Sequence, residues 1–173
     1  MKQPIFLKGA MQDKIWGGTK LHDLFGFEIP TETTGEYWAI SAHENGLSHV
    51  EGGPYDGMSL KELWEKYPEL FGNPEEKEFP LLVKIIDAKE DLSVQVHPDN
   101  EYAKEHAGEL GKTEAWYIWD AEPGAQIVFG HQAQTKEELE ELIENDDWDN
   151  LLAKRFVKPG DFFYVQAGLV HAI

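Results

Sequence analysis

The feature that most restricts this chain is its punctuation: short apolar segments, each closed within a few residues by a Gly, Pro or Asp turn. Residues 81–86, 92–97, 114–119, 126–129 and 162–165 read as strands. They are separated by Ala88-Lys89-Glu90-Asp91, Glu122-Pro123-Gly124 and Pro159-Gly160-Asp161. Segments this short, rich in β-branched and aromatic residues, cannot be long helices and must share a core with one another. The implied fold class is mainly β, a sandwich or barrel carrying a few peripheral helices.

The helices are signalled locally. Ser59 has Glu62 three residues on, the capping-box spacing, and Leu60, Leu63, Trp64 and Tyr67 share one helical face before Pro68 and Gly72 end it. Thr135 with Glu138 opens a second helix through Leu139, Leu142 and Ile143, and Trp148, Leu151 and Leu152 continue helically. A strand over 37–42, the turn Glu44-Asn45-Gly46 and residues 47–50 predict a hairpin. Phe156-Val157, the Pro-Gly-Asp turn and 162–165 predict a final strand–turn–strand. Residues 1–35 carry mainly loop signals (Gly17-Gly18, Pro30, Thr31-Glu32-Thr33-Thr34), and 73–79 is a charged connection.

A length of 173 residues fits one domain, 1–173, able to bury roughly 70% of the unfolded surface. Thirty-three acidic against 15 basic residues give a net charge of −18, which disfavours nucleic acid and anionic membrane surfaces. With aromatics at 12%, the chain is nevertheless too apolar to be a disordered acidic tail. There is no cysteine, hence no disulfide, thiolate metal site or Cys nucleophile. No signal peptide or membrane-spanning run is visible, so the expected location is cytoplasmic.

Three segments could carry chemistry. In Leu92-Ser93-Val94-Gln95-Val96-His97-Pro98-Asp99, a strand puts Ser93, Gln95 and His97 on one face and Leu92, Val94 and Val96 toward the core. Gln95 and His97 then sit roughly 6.5–7 Å apart, within reach of one divalent cation. In Gly111-Lys112-Thr113-Glu114, Lys112 and Glu114 share a face. The carboxylate could complete a metal shell, and a lysine beside a cation is easier to deprotonate, which suits proton transfer. In Pro159 to His171, two Gly-bearing turns bring His171 to the start of a strand. Taken singly, each also fits a plain structural role: a wet sheet edge, a surface ion pair, a lone histidine. His22, His43, His49, His106 and His131 show no ligand spacing, although His43 directly follows the 37–42 strand.

Together these segments resemble a known pattern. Gly160 to His171 is similar to the second motif of the cupin superfamily, a metal-binding β-bowl, with Gln166 where the superfamily usually has Pro. Six segments also resemble, in family order, the class I mannose-6-phosphate isomerase (phosphomannose isomerase) family in its short bacterial form. They are Ile15-Trp16-Gly17-Gly18, Trp38-Ala39-Ile40-Ser41-Ala42-His43, Phe79-Pro80-Leu81-Leu82-Val83-Lys84, Leu92 to Asp99, Gly111-Lys112-Thr113-Glu114 and His171-Ala172-Ile173.

The resemblance implies one zinc ion per chain, held by Gln95, His97, Glu114 and His171. It implies Lys112 as the proton-transfer residue and Lys84 near the substrate. Some family members carry a His where this chain has Gly111, so no role for that His transfers. The implied reaction is the aldose–ketose isomerisation of mannose 6-phosphate and fructose 6-phosphate. The family chain continues well past the second metal His, to nearly twice this length, and carries there an Arg regarded as catalytic. Arg155 lies in a different context. The expectation is therefore a cupin-like fold incomplete at its C-terminal end, with a full ligand set, a partial active site and sheet edges open to self-association. A non-catalytic zinc-binding cupin module with a structural or sugar-sensing role is the alternative. An iron-dependent cupin oxygenase is a further rival, disfavoured by Gln95 as a fourth ligand.

Overall fold

The computed structural model describes residues 4–108 and 110–173. The chain is mainly β with a few short helices, as predicted, and divides into two compact units, the second spanning Asp91–Ile173.

The first unit, ending at Glu90, contains β1 (Leu7–Lys8), β2 (Ala10–Gly18), α1 (Lys20–Phe25), β3 (Thr34–Ser41), β4 (His49–Val50), α2 (Leu60–Lys66) and β5 (Leu82–Ile86). Its main sheet is antiparallel in the order β2-β3-β5, and β3, paired on both edges, is buried along most of its length. Residues 4–35 thus hold more regular structure than the loop signals of 1–35 predict. Strand β2 carries no clean sequence alternation, because its pairing jumps between Asp13 and Gly18 and leaves Ile15 98% exposed. Helix α1 has no side-chain cap of its own. The buried Asp87 carboxylate accepts from Lys20 N–H at 2.7 Å instead, a partner 67 residues away in sequence.

A turn forms one residue earlier than expected, centred on Glu44-Asn45 and closed by Gly46 N–H to His43 O at 2.9 Å. The expected hairpin does not extend from it. Ser41 N–H is taken by the Ser48 hydroxyl at 2.9 Å, which ends the ladder, and β4 pairs with β1 instead. Helix α2 has both bonds of its capping box. Its Leu60, Leu63 and Trp64 are buried, and Trp64 packs on Phe71 and Phe79.

The second unit contains α3 (Asn100–His106), β6 (Glu114–Tyr117), β7 (Gln126–His131), α4 (Lys136–Glu144), α5 (Trp148–Leu151), β8 (Leu152–Phe156), β9 (Phe162–Val165) and β10 (His171–Ala172). One sheet runs β10-β7-β8 and the other is the pair β6-β9. A core of Ala133, Leu151 and Leu152 is packed by Val128, Leu139, Leu142 and Val170. Strands β8 and β9 are joined by the Pro-Gly-Asp turn but do not pair with each other. Gly160, at φ 93°, donates its N–H to Ile118 O, and the chain passes from one sheet to the other.

The segment 92–97 departs from its predicted strand. Only Gln95 forms a bridge, to His171, with Leu92 N–H to Ile173 O nearby. Val94 and Val96, expected in the core, are 46% and 58% exposed. Helix α3 occupies a stretch that reads as merely polar in sequence. The Asp99 side chain caps it by accepting from Tyr102 N–H at 2.8 Å, without the glutamate that would complete a box. Among the described residues no helix is long and apolar enough to cross a membrane.

Candidate metal centre

The second unit assembles its polar cluster from three non-contiguous segments. Gln95 and His171 are directly opposed and exchange both backbone hydrogen bonds at 2.9 Å, which fixes the two segments in register. His97 lies two residues beyond Gln95, and its carbonyl accepts from Gly168 N–H at 2.8 Å, tying it to the turn before His171. Glu114 opens β6, opposite Val165 of β9. Lys112 precedes it in a loop held by Lys112 N–H to Pro98 O at 3.1 Å.

Sequence positions 97, 114 and 171 thereby converge. One ligand atom from each of His97, Glu114 and His171 lies within 4.8 Å of the others. His97 Nε2 is 3.5 Å from Glu114 Oε1, and His171 Nε2 is 3.6 Å from Glu114 Oε2. Ligands about 2.0–2.2 Å from a tetrahedral zinc lie about 3.3 Å apart, so the group needs little adjustment to hold such an ion.

The tautomer of His171 suits a ligand. Its Nδ1–H donates to Leu169 O at 2.7 Å, which leaves the lone pair on Nε2. The residue is 3% exposed, and Nε2 is buried without a hydrogen-bond partner. A buried acceptor left unpaired costs free energy unless a cation or proton donor takes it. Trp116 packs edge-on against the His171 ring at 5.5 Å and shields it from water.

Electrostatics favour the ligating forms. Burial, and then the Lys112 ammonium, push His97 below its ordinary value of 6.5 against the pull of Glu114, so its imidazole stays neutral further into acid. Burial raises Glu114 more than any other single effect. The Lys112 hydrogen bond and charge, with the two histidines, outweigh it and hold the carboxyl below its ordinary value. Lys112 Nζ contacts both His97 Nε2, at 3.2 Å, and Glu114 Oε1. A cation is thus already seated on two of the candidate donor atoms.

Two of the expected residues sit differently. Gln95 joins the cluster through its backbone, while its side-chain amide donates to Ser93 Oγ at 3.1 Å and leaves Oε1 as the atom a cation could take. Lys84 belongs to the first unit. There the register sets it opposite Trp38, its Nζ 4.7 Å above the indole ring and 3.3 Å from Glu36 Oε1. Glu36 is buried and also accepts from Trp38 Nε1–H at 2.7 Å, with Lys14 at 3.7 Å. Sequence reasoning missed Glu36 by starting the strand at residue 37. The i, i+2 relation of Glu36 to Trp38 was the available signal.

A family model described as phosphomannose isomerase type I, catalytic domain, matches residues 5–125. The mannose-6-phosphate isomerase of Streptococcus mutans is 59% identical over 173 residues, which is 100% of this chain and 55% of that protein. A crystal structure of the mannose 6-phosphate isomerase from Bacillus subtilis matches with TM-score 0.97 and 54% identity, over 99% of this chain and 55% of that one. The enzyme from Salmonella typhimurium, at 18% identity and TM-score 0.71 over 99% of this chain and 65% of that one, shares the fold. The chain thus spans about 55% of the length of its similar curated relatives.

Proposed function

The chain belongs to the type I phosphomannose isomerase family, and from that premise we propose that it carries the metal site and proton-transfer lysine of an aldose–ketose isomerase acting on mannose 6-phosphate and fructose 6-phosphate. The same reading treats residues 1–173 as one cupin-type metal-binding domain. The observation that carries it is the convergence of His97, Glu114 and His171, with His171 Nε2 buried and unpaired.

One Zn2+ fits this donor set of imidazole nitrogen and carboxylate oxygen, with Gln95 Oε1 as the fourth ligand. When bound, it supplies Lewis acidity toward the negative charge that develops on the sugar oxygens as the proton beside the carbonyl is removed. The chain's own residues do the rest. Leu169 O keeps the Nε2 lone pair of His171 available, and Trp116 keeps water off that ring. Lys112 moves the proton between C1 and C2. The contacts of its Nζ with His97 Nε2 and Glu114 Oε1 support that role. Lys84, steadied by Glu36 and Trp38, serves as a cation for the substrate.

The test is an isomerase assay on zinc-loaded protein, in which fructose 6-phosphate formed from mannose 6-phosphate is coupled to glucose 6-phosphate production. Turnover that disappears with chelator and returns with zinc supports the reading. Silence at stoichiometric zinc overturns the enzyme and leaves a non-catalytic zinc-binding module. Stoichiometric iron in the purified protein, with no zinc, would overturn the choice of metal.

A further inference from the structure

An irregularity in the first unit carries a second lysine onto a carboxylate that already has its cation. Pairing between β2 and β3 jumps from Asp13 to Gly18, both opposite Thr34, so Lys14 leaves the regular register and its N–H is held by Thr33 O at 2.9 Å. A bulge of this kind re-aims a side chain. The Lys14 stem crosses Gly35, where an added Cβ would stand 2.8 Å from Lys14 Cβ and 3.0 Å from Cγ. Its Nζ ends 3.7 Å from Glu36 Oε2. Glu36 is buried and both its oxygens are already engaged, Oε2 by Trp38 Nε1–H at 2.7 Å and the pair by Lys84 Nζ at 3.3 and 3.4 Å.

One carboxylate neutralises one ammonium. Two ammoniums on Glu36 leave a positive charge over, in a chain of net charge −18 where acidic partners abound. A surplus charge held partly away from water is costly unless an anion pairs it. The Lys14 and Lys84 side chains are 34% and 24% exposed, so a small ligand can reach them. Lys14 stands beyond hydrogen-bond length from Glu36, so its N–H donors are not spent on that carboxylate. We propose that Lys14 and Lys84 form a seat for a phosphoryl group, with Glu36 behind them fixing their spacing. Both Nζ atoms lie within 3.7 Å of the same oxygen, Glu36 Oε2, which is close enough for one tetrahedral oxyanion to bridge them. Lysine binds phosphate as a point charge, whereas the flat fork of a carboxylate is better met by arginine. This seat lies within the first unit and owes nothing to the metal chemistry. Only its use for a sugar phosphate rests on the isomerase reading.

Calorimetry on the 173-residue chain, titrated with inorganic phosphate in the presence of a chelator, reads the seat without zinc. The expected result is saturable binding of a single phosphate. Lys14→Met and Lys84→Met should each weaken it by roughly ten-fold or more, the loss of one charge-assisted hydrogen bond. Lys14→Gln serves if Lys14→Met does not fold. Lys66→Met makes the same change in net charge on a helix lysine paired with Glu62, and should leave phosphate binding nearly unchanged. No saturable heat, or an equal weakening by Lys66→Met, would overturn the seat. Acetate bound as tightly as phosphate would overturn the choice of a phosphoryl group. Displacement of phosphate by fructose 6-phosphate, with neutral fructose inert, assigns the seat to a sugar phosphate. Phosphate that fructose 6-phosphate does not displace assigns it to the free ion. Silence in the isomerase assay beside intact phosphate binding would sink the enzyme reading and leave the seat standing.

Discussion

His171 concentrates the residue-scale argument, because one of its ring nitrogens is held by Leu169 O and the other is buried with nothing to bond. If that nitrogen is a ligand, His171→Ala lowers zinc affinity by about 100-fold or more in a competition titration, a loss at least as large as removing a residue behind a ligand. Affinity within a few-fold of the parent would remove His171 from the site. Lys112→Met separates roles: turnover falls by roughly 10²–10⁴ while zinc still binds, because the lysine is a charge beside the ligands and not one of them. Parallel loss of both would make Lys112 structural. The pH dependence follows from His97, whose pKa lies below its ordinary 6.5. The unfolded chain then takes up protons before the folded one. The stability that the neutral imidazole contributes is complete above about 6.5 and lost as pH falls through the lower folded value. Zinc affinity has the same sign, so it is flat near neutrality and falls only in acid. The residues of this centre were legible through the family resemblance, because Gln-x-His and Lys-x-Glu spacing alone fits a wet sheet edge or a surface ion pair just as well. Glu36, the buried partner of Lys84, was not, since its role appears only when β3 and β5 pair across 48 residues.

At the scale of elements, what was legible is what is encoded locally. Helix α2 announces itself because Ser59 and Glu62 cap it within one turn, and the structure has both bonds. Ser59→Ala removes a buried cap and costs about 1 kcal/mol in urea unfolding. Glu62 is lowered from 4.5 to about 2, first by Lys66 and then by the Ser59 bonds. Its contribution is therefore present above about 4.5 and lost as pH falls toward about 2, and Glu62→Gln should flatten the stability curve in that interval. An unchanged acid limb would show that the box does not act in solution. Strand partners were illegible for the opposite reason. The turn before Gly46 forms without the expected hairpin, and β8 and β9 flank one turn yet enter different sheets, because pairing is chosen by distant edges. Gly111 shows the same non-local constraint. A methyl there would stand 2.7 Å from Asp99 O and closer still to the Asp99–Asn100 peptide. Gly111→Ala should lower stability by about 1–3 kcal/mol and displace the loop that carries Lys112. A melting temperature equal to the parent's would show that the close approach is not kept.

For the molecule as a whole, charge sets a problem that the site must solve. The net charge is −18, and residues 91–173, which hold the metal-centre candidates, contain 17 acidic against 6 basic side chains. A sugar phosphate is a dianion near neutral pH, so the chain repels it at long range and attracts it only close to its basic side chains. These two terms respond differently to salt. Raising ionic strength from about 0.01 M to about 0.15 M shortens the screening length from about 30 Å to about 8 Å, which removes long-range repulsion faster than contacts made at 3–4 Å. An ordinary lysine–phosphate site weakens as salt rises. Here calorimetry on the zinc-loaded chain should give a fructose 6-phosphate Kd that holds or tightens over that range, while neutral fructose shows no change. With few cations in reach, the Kd should also be weaker than that of the full-length Streptococcus mutans relative. A Kd that climbs steeply with salt would mean that local cations dominate after all. The acidic surface would then serve solubility alone.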